Sequence, residues 1–158
     1  MLVAISRSEV TDVARTVLQT LPSDRRRMHR TRVRVLYGDT DKAQVVHHAR
    51  YLDYLEAGRL ELLRHHGLDY RAFEERTKLG MPVVEAHLKY RAPARFDDLL
   101  DVETWVAVCT RAKVIFESRI LRGDEVLAEA AITIACVDMV AERVVSVHEE
   151  VRRACVGG

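Results

Sequence analysis

The spacing of apolar residues changes at two points in the first half of the chain, and each stretch predicts a different element. Residues 30–37 alternate between arginines and mostly apolar side chains, which predicts a strand with one solvated face. The run 38–41, Gly-Asp-Thr-Asp, consists of turn-forming residues and breaks the alternation. From about Ala49 the apolar residues recur at helical spacing until Gly67, which is suited to the left-handed conformation that ends helices. The sequence therefore predicts a strand, a loop with two acids and one long helix.

The long helix is predicted to be amphipathic. Its apolar side is formed by Tyr51, Leu52, Leu55, Leu62 and Leu63. Away from this side, Glu56 precedes Arg59 and Glu61 precedes Arg64, at the i,i+3 spacing that lets opposite charges attract on a solvated helix surface. We therefore expect the apolar side to face the core and both charge pairs to face solvent.

The second half of the chain is dominated by β-type segments. A short helix is predicted over residues 69–77, and strands are predicted at 83–90, 99–109, 113–121, 125–137 and 143–145. Residues 122–124 are typical of a hairpin turn, and a capping box from Ser146 to Glu149 predicts a last helix that ends before Gly157. One long helix followed by consecutive antiparallel strands predicts an α+β fold, with the sheet wrapped around the apolar side of the helix.

Residues 1–28 precede this domain, which is predicted to span 29–158. Ser6 and Glu9 have capping-box spacing, and apolar residues then follow at helical intervals: Val10, Val13, Ala14, Val17, Leu18 and Leu21. Pro22 ends the pattern and a polar linker follows. The segment is thus predicted to be an amphipathic helical extension with a linker. It either builds an oligomer or docks a carrier, covers apolar surface of its own domain, or lies upstream of a translation start at Met28.

Composition and charge narrow the class of protein. At 158 residues the chain has the size of one domain, and 31% charged with 48% apolar residues is an ordinary globular balance. A net charge of +1 and a single N-terminal helix argue against nucleic-acid binding. Three cysteines without CxxC spacing favour a reducing cytoplasm. No apolar run is long enough for a membrane span, and acidic and basic residues interrupt the N-terminal segment, so no secretion signal is predicted.

Asp41 is the first candidate for chemistry because it lies in the loop before the long helix. The free N–H groups and the positive dipole end of a helix N-terminus polarise a carbonyl group, and a nearby carboxylate can attack that carbonyl or activate water. Asp39 lies two residues earlier and in an extended chain points the same way, so two carboxylates could share the site. The structural alternative is an ordinary turn aspartate, which many strand-to-helix loops contain.

Two motifs in this order carry a resemblance to a known family. Tyr37 to Asp41 reads Tyr-Gly-Asp-Thr-Asp, and residues 45–52 follow as Val-Val-His-His-Ala-Arg-Tyr-Leu. Residues 90–99 form the second motif, Tyr-Arg-Ala-Pro-Ala-Arg-Phe-Asp-Asp-Leu. Together they resemble the hotdog-fold acyl-CoA thioesterases, in particular the 4-hydroxybenzoyl-CoA thioesterase family and its YbgC-type members, over about residues 32–153. One departure is Gln44, which stands where the family usually has glycine and so bears on the path of the loop backbone.

The resemblance implies a hotdog fold and the hydrolysis of an acyl-CoA or acyl-carrier-protein thioester to free acid and thiol, without a metal or other cofactor. It implies that Asp41 attacks the thioester carbonyl or activates water, and that the backbone N–H of His48 binds the oxyanion. Asp39 is interpreted mainly as a residue that holds the loop through backbone N–H bonds. The residues expected to contact substrate are Tyr37, Asp39, His47, Tyr51, Arg111 and Lys113, the last two at the CoA phosphates, with Arg91 and Arg95 as further candidates.

Other interpretations of these residues stay open. A metal site made by Asp39, Asp41, His47 and His48 is admissible by ligand type, but adjacent histidines rarely converge on one ion and no HExxH pattern supports it. A hotdog dehydratase would place its histidine and acid differently, and a non-catalytic acyl-CoA sensor would keep the cleft without turnover. The resemblance further implies a homodimer with its sheets joined edge to edge, often paired into a homotetramer, and active sites at the subunit interface.

Overall fold

A computed structural model describes residues 28–157, whose main layer is a five-stranded antiparallel sheet in the order β1-β4-β5-β6-β3. The elements are β1 (His29–Arg34), α1 (Arg50–His65), α2 (Tyr70–Thr77), β2 (Leu79–Gly80), β3 (Val83–Tyr90), β4 (Leu99–Cys109), β5 (Val114–Arg122), β6 (Glu125–Ile134), β7 (Cys136–Asp138), β8 (Arg143–Val145) and α3 (Glu149–Val156). Strands β2, β7 and β8 form a second, small sheet. The helix predicted within residues 1–28 lies outside the described residues.

Helix α1 packs against one face of the large sheet. Leu62 and Leu63 are fully buried, in the same core as Val102 of β4. The helix approaches β4 closely at Gly58, where an added Cβ would lie 2.7 Å from Thr104 Oγ1 and 2.8 Å from a Val102 methyl carbon. A side chain at this position would push the helix off the sheet, so glycine sets the distance between the two layers. The predicted arrangement of one long helix against an antiparallel sheet is confirmed.

Two details of the α1 prediction were wrong. Leu52, predicted on the apolar side, is 42% exposed, because the packed side runs along positions 51, 54, 55, 58 and 62. Arg59, predicted to be solvated, is 8% exposed, and its guanidinium lies 3.9 Å from the Glu56 carboxylate. The predicted end of the helix is confirmed, since Gly67 adopts the left-handed conformation with φ +85°.

The start of α3 also differs from the prediction. The N-cap residue is His148, whose Nδ1 accepts a hydrogen bond from the Glu150 N–H, and not Ser146. Val147 is buried and its N–H donates to the Arg111 carbonyl at 2.7 Å, which holds the chain extended past Ser146. The helix therefore begins two residues later than the local signal indicated. A second correction concerns the strand predicted at 125–137, which is divided at Ala135 into β6 and β7.

Strand β3 forms one edge of the large sheet. Among the described residues it pairs only with β6. Its side chains on the side of α1 are incompletely covered, because Val84 is 43% and Tyr90 47% exposed and Ala86 is exposed as well. This strand therefore offers both unpaired backbone groups and apolar side chains for further contacts.

Candidate active site

The loop between β1 and α1 is a narrow, hydrogen-bonded hairpin. Thr40 bridges to Val46, the Asp41 N–H donates to the Val45 carbonyl at 2.9 Å, and the Gln44 N–H donates to the Asp41 carbonyl at 2.9 Å. Gln44 has φ +62°, in the left-handed region that glycine adopts without strain. The glycine of the family pattern is thus explained by the turn, and Gln44 takes the strained conformation in its place.

Asp41 lies at the tip of this hairpin with an exposed side chain. Its Oδ1 accepts a hydrogen bond from the Ala43 N–H at 2.8 Å, an Asx-type turn that orients the carboxylate. Its Oδ2 has no hydrogen-bond partner within residues 28–157. One oxygen is therefore held by the backbone, and the other is open to a substrate or a water molecule.

Asp39 is held much more firmly. Its Oδ2 accepts hydrogen bonds from the Leu36 N–H and from the Tyr54 hydroxyl, both at 2.8 Å, and its Oδ1 lies 3.8 Å from Arg50 Nε. Burial, followed by the hydrogen bond and the charge of Asp39, raises the pKa of Tyr54, so the phenol stays protonated as a donor. This geometry fits the predicted role of Asp39 in holding the loop. Helical spacing in the sequence carries no signal for this contact between Tyr54 and Asp39.

The N-terminus of α1 closes the hairpin. The His47 N–H donates to the Asp39 carbonyl at 2.9 Å, and His47 Nδ1 accepts a hydrogen bond from the N–H of Ala49, the N-cap residue of α1, at 3.3 Å. The backbone N–H of His48 has no hydrogen-bond partner among the described residues. The His48 carbonyl instead accepts the Tyr90 hydroxyl at 2.8 Å. An unpaired N–H at a helix N-terminus is suited to binding a negatively charged oxygen.

The two sequence motifs meet in space. The Val46 N–H donates to the Ala94 carbonyl at 2.8 Å, and the Val35 N–H donates to the Asp98 carbonyl at 3.0 Å. The second motif therefore supports the hairpin of the first through backbone hydrogen bonds. Tyr90 adds a side-chain contact that spans 42 residues of sequence, which local patterns could not have indicated.

The other predicted substrate-binding residues lie in three different places. Tyr37 is 79% exposed beside the hairpin and packs edge-on against Phe96, with ring centroids 5.7 Å apart. Tyr51 is 2% exposed, inside the core, where its hydroxyl accepts the Ala94 N–H at 3.1 Å. Arg111 and Lys113 lie in the turn after β4, an eleven-residue strand, so roughly 30 Å of chain separates them from the hairpin.

The structure thus brings some of the predicted site residues together and leaves others apart. Those gathered at the hairpin are Tyr37, Asp39, Asp41, His47 and His48. Within one chain, Arg111 and Lys113 do not join them. No group of three or more His, Cys, Asp or Glu side chains in residues 28–157 is arranged to hold a metal ion. Every helix in the same range is too short or too polar to cross a membrane.

Comparisons with known proteins give consistent results. The model of the thioesterase-like superfamily matches residues 35–155. The acyl-CoA thioesterase YbgC of Haemophilus influenzae is 38% identical over 77% of this chain and 90% of its own length. Two solved structures are also similar. A hypothetical protein from Thermus thermophilus has a TM-score of 0.75 at 37% identity over 80% of this chain and 96% of its own. A probable thioesterase from Bartonella henselae has a TM-score of 0.68 at 31% identity over 77% of this chain and 98% of its own.

Proposed function

Because this chain belongs to the thioesterase-like superfamily, we propose that it hydrolyses the thioester bond of an acyl-CoA to the free acid and the thiol. The predicted hotdog fold and family resemblance are confirmed by the family match and by structures at 31–37% identity. The relative in Haemophilus influenzae is named an acyl-CoA thioesterase, and this chain covers 90% of it. The activity of a thioester hydrolase therefore follows from the family, while the roles of individual residues rest on the geometry of the site.

One observation supports the proposed chemistry: an exposed carboxylate with one open oxygen, at Asp41, shares a hairpin with the unpaired N–H of His48. The thioester carbonyl oxygen would accept the His48 N–H, which stabilises the negative charge that develops during attack. Asp41 would either take a proton from water as the water attacks, or attack the carbonyl carbon itself and form an anhydride that water then opens. In both routes the C–S bond breaks, and the CoA sulfur leaves as the thiol after protonation.

The test of this proposal is thiol release from a panel of aliphatic and aromatic acyl-CoAs, by wild type and by Asp41→Asn. Asparagine keeps the acceptor oxygen for the Ala43 N–H but cannot act as a base or nucleophile, so we expect turnover to fall by about 10²- to 10⁴-fold. Asp53→Asn is the matched control, because Asp53 is an exposed carboxylate in the first turn of α1, the helix that follows the Asp41 loop. Its turnover should stay close to that of wild type.

The outcomes separate the possible functions. Turnover by Asp41→Asn within a few-fold of wild type, with circular dichroism and oligomeric mass unchanged, would contradict the assigned role of Asp41. Binding of acyl-CoAs by wild type without any thiol release would favour the sensing alternative. Release only from an acylated carrier protein would identify the carrier-bound thioester as the substrate.

The proposal includes a homodimer joined through β3. This strand has an open edge and exposed apolar side chains, and the Tyr90 hydroxyl ties it to His48, so the site lies at the same edge. When two β3 strands pair in antiparallel fashion about a two-fold axis, the strands of the second sheet run in the opposite direction to their counterparts in the first. The turn with the partner's Arg111 and the partner's Lys113 then lies at the same end of the joined sheet as Asp41, where it can contact CoA phosphates.

Light scattering on the assayed protein checks this assembly and distinguishes a dimer from the predicted homotetramer. A monomeric mass at full activity would contradict the shared site. The cytoplasmic location also stays a proposal, supported by the three free cysteines, Cys109, Cys136 and Cys155, of which the last two are buried.

A further inference from the structure

The face of the large sheet turned away from α1, called here the outer face, carries an unusual set of side chains. Thr104 and Ser118 point toward α1, since an added Cβ at Gly58 would meet Thr104, and the Thr104 and Ser118 hydroxyls bond each other at 2.9 Å. Side chains alternate along a strand, so the neighbouring cross-strand pair Trp105 and Glu117 points the opposite way. Ala131 of β6 continues this row, and Ile115 lies beside it.

These outer-face side chains are buried. Trp105 is 6%, Glu117 6%, Ala131 5% and Ile115 3% exposed. The buried residues of α1, α2 and α3 belong to a core that includes Val102 and Phe116 but none of these outer-face residues. Within residues 28–157, the buried side chains of the three helices therefore pack on the other face of the sheet, and none of them belongs to this row.

We propose that the amphipathic segment of residues 6–21 covers the outer face as a helix, with its apolar stripe on Trp105, Ile115 and Ala131. The stripe consists of Val10, Val13, Ala14, Val17, Leu18 and Leu21, at the i, i+3, i+4, i+7 spacing of a helix that buries one side. A sixteen-residue helix is about 24 Å long, which matches five strands set about 4.8 Å apart. The segment thus has the length and the pattern that the face requires.

The connection to the sheet favours this segment over other occupants. Strand β1 begins at His29, which pairs with Thr104, so the chain enters the sheet one residue from Trp105. Residues 22–28 span up to about 23 Å when extended, enough to pass β1 and turn back over β4 and β5. Tethering at this distance gives the segment an effective concentration of roughly millimolar, which a second, untethered copy of the chain lacks.

The charges of the outer face agree with an apolar occupant. Glu103 is already paired with Arg30 at 2.5 Å and with Arg119 at 2.6 Å. Glu117 receives the Trp105 indole N–H at 2.9 Å and has no ion-pair partner among the described residues. The centre of the face therefore presents an indole, small aliphatic groups and one hydrogen-bonded carboxyl to the covering chain, while the paired charges lie toward β1.

Trp105 is the only tryptophan of the chain, so its fluorescence reports directly on this cover. In the full-length protein, Val13→Asp with Val17→Asp places two charges in the apolar stripe. We expect a red shift of the emission maximum and a severalfold larger acrylamide quenching constant, because the indole becomes accessible to water. Thr16→Asp with Gln19→Asp is the matched control, since it adds the same charge to the polar side of the segment.

Deletion of residues 1–27 is the second measurement, with circular dichroism to verify the fold, and should expose Trp105 to at least the same extent. Equal shielding of Trp105 in wild type, in the stripe variant and in a folded deletion variant would overturn the proposal. Shielding that survives in both variants and disappears on dilution would identify a second copy of the chain as the cover, which overturns it as well. Thiol release is not used as a readout, so the result does not depend on the proposed function.

Discussion

Glu117 allows a quantitative test of how the burial of a carboxyl group in this sheet affects the stability of the protein. The side chain is 6% exposed, and burial raises its pKa to about 7, while the hydrogen bond from Trp105 acts in the lowering direction. In the unfolded chain the group titrates near 4.5. The folded protein therefore keeps the proton through a pH range in which the unfolded chain has released it.

The sign and size of the effect follow from these two pKa values. Below about pH 4.5 the carboxyl is neutral in both states and has no effect on the free energy of unfolding. Between about pH 4.5 and 7 stability falls as pH rises, and above the folded pKa the penalty is constant at about 3 kcal/mol. Glu117→Gln removes the ionisation and keeps an oxygen that accepts the Trp105 N–H. The variant should therefore gain up to about 3 kcal/mol of stability at pH 8 and little at pH 4.5.

The assay is urea unfolding of wild type and variant at several pH values, followed by far-ultraviolet circular dichroism. Glu103→Gln is the matched control on the same face. Burial by itself would raise the pKa of Glu103, but the hydrogen bonds and charges of Arg119 and Arg30 outweigh it and lower that pKa. Glu103→Gln should therefore lose stability, most strongly above pH 4.5. If Glu117→Gln were neutral or destabilising at pH 8, the carboxylate would be compensated in the fold, and the argument from burial would be refuted.

Two further substitutions test the backbone at close contacts. Gly58→Ala adds a Cβ that lies less than 3.0 Å from Thr104 and Val102 side-chain atoms. The free energy of unfolding in urea should therefore fall by about 1–3 kcal/mol, despite the better helix propensity of alanine. A stabilised variant would mean that α1 moves freely on the sheet. Gln44→Gly removes the strain of a non-glycine residue in the left-handed conformation. The variant should gain about 1 kcal/mol of stability in thermal melts, with thiol release unchanged. Lost turnover would show that the Gln44 side chain takes part in the site.

The bounds of several elements could be predicted because their signals are local. The predicted ranges of β3, β4 and β8 agree with the observed ones residue for residue, and the turn at Gly123 is confirmed by its φ of +59°. Alternation and turn residues are properties of a few neighbours in the chain, so no knowledge of the fold is needed to recognise them. The position of Asp41 in a loop before a helix N-terminus was visible for the same reason.

The errors arose where distant parts of the chain meet. Helical spacing indicated an apolar stripe on α1, but the part of the helix surface that is covered depends on the elements that pack against it. Arg59 is buried in this way, with Tyr70 of α2 close enough to act on its charge. The late start of α3 depends on the hydrogen bond from Val147 to Arg111, which belongs to another turn. Neither effect leaves a trace in the local sequence.

The sequence by itself determined the element types, the α+β class and the two motifs with Asp41 and His48. Only the tertiary structure decided that Tyr54 anchors Asp39, that Tyr90 ties the helix N-terminus to the sheet edge, and that Arg111 and Lys113 lie far from Asp41 in the same chain. It also decided that Glu117 is buried on the outer face. The physical reason is that backbone preference and amphipathic spacing act within a few residues, whereas burial and long-range hydrogen bonds depend on the order of strands in the sheet.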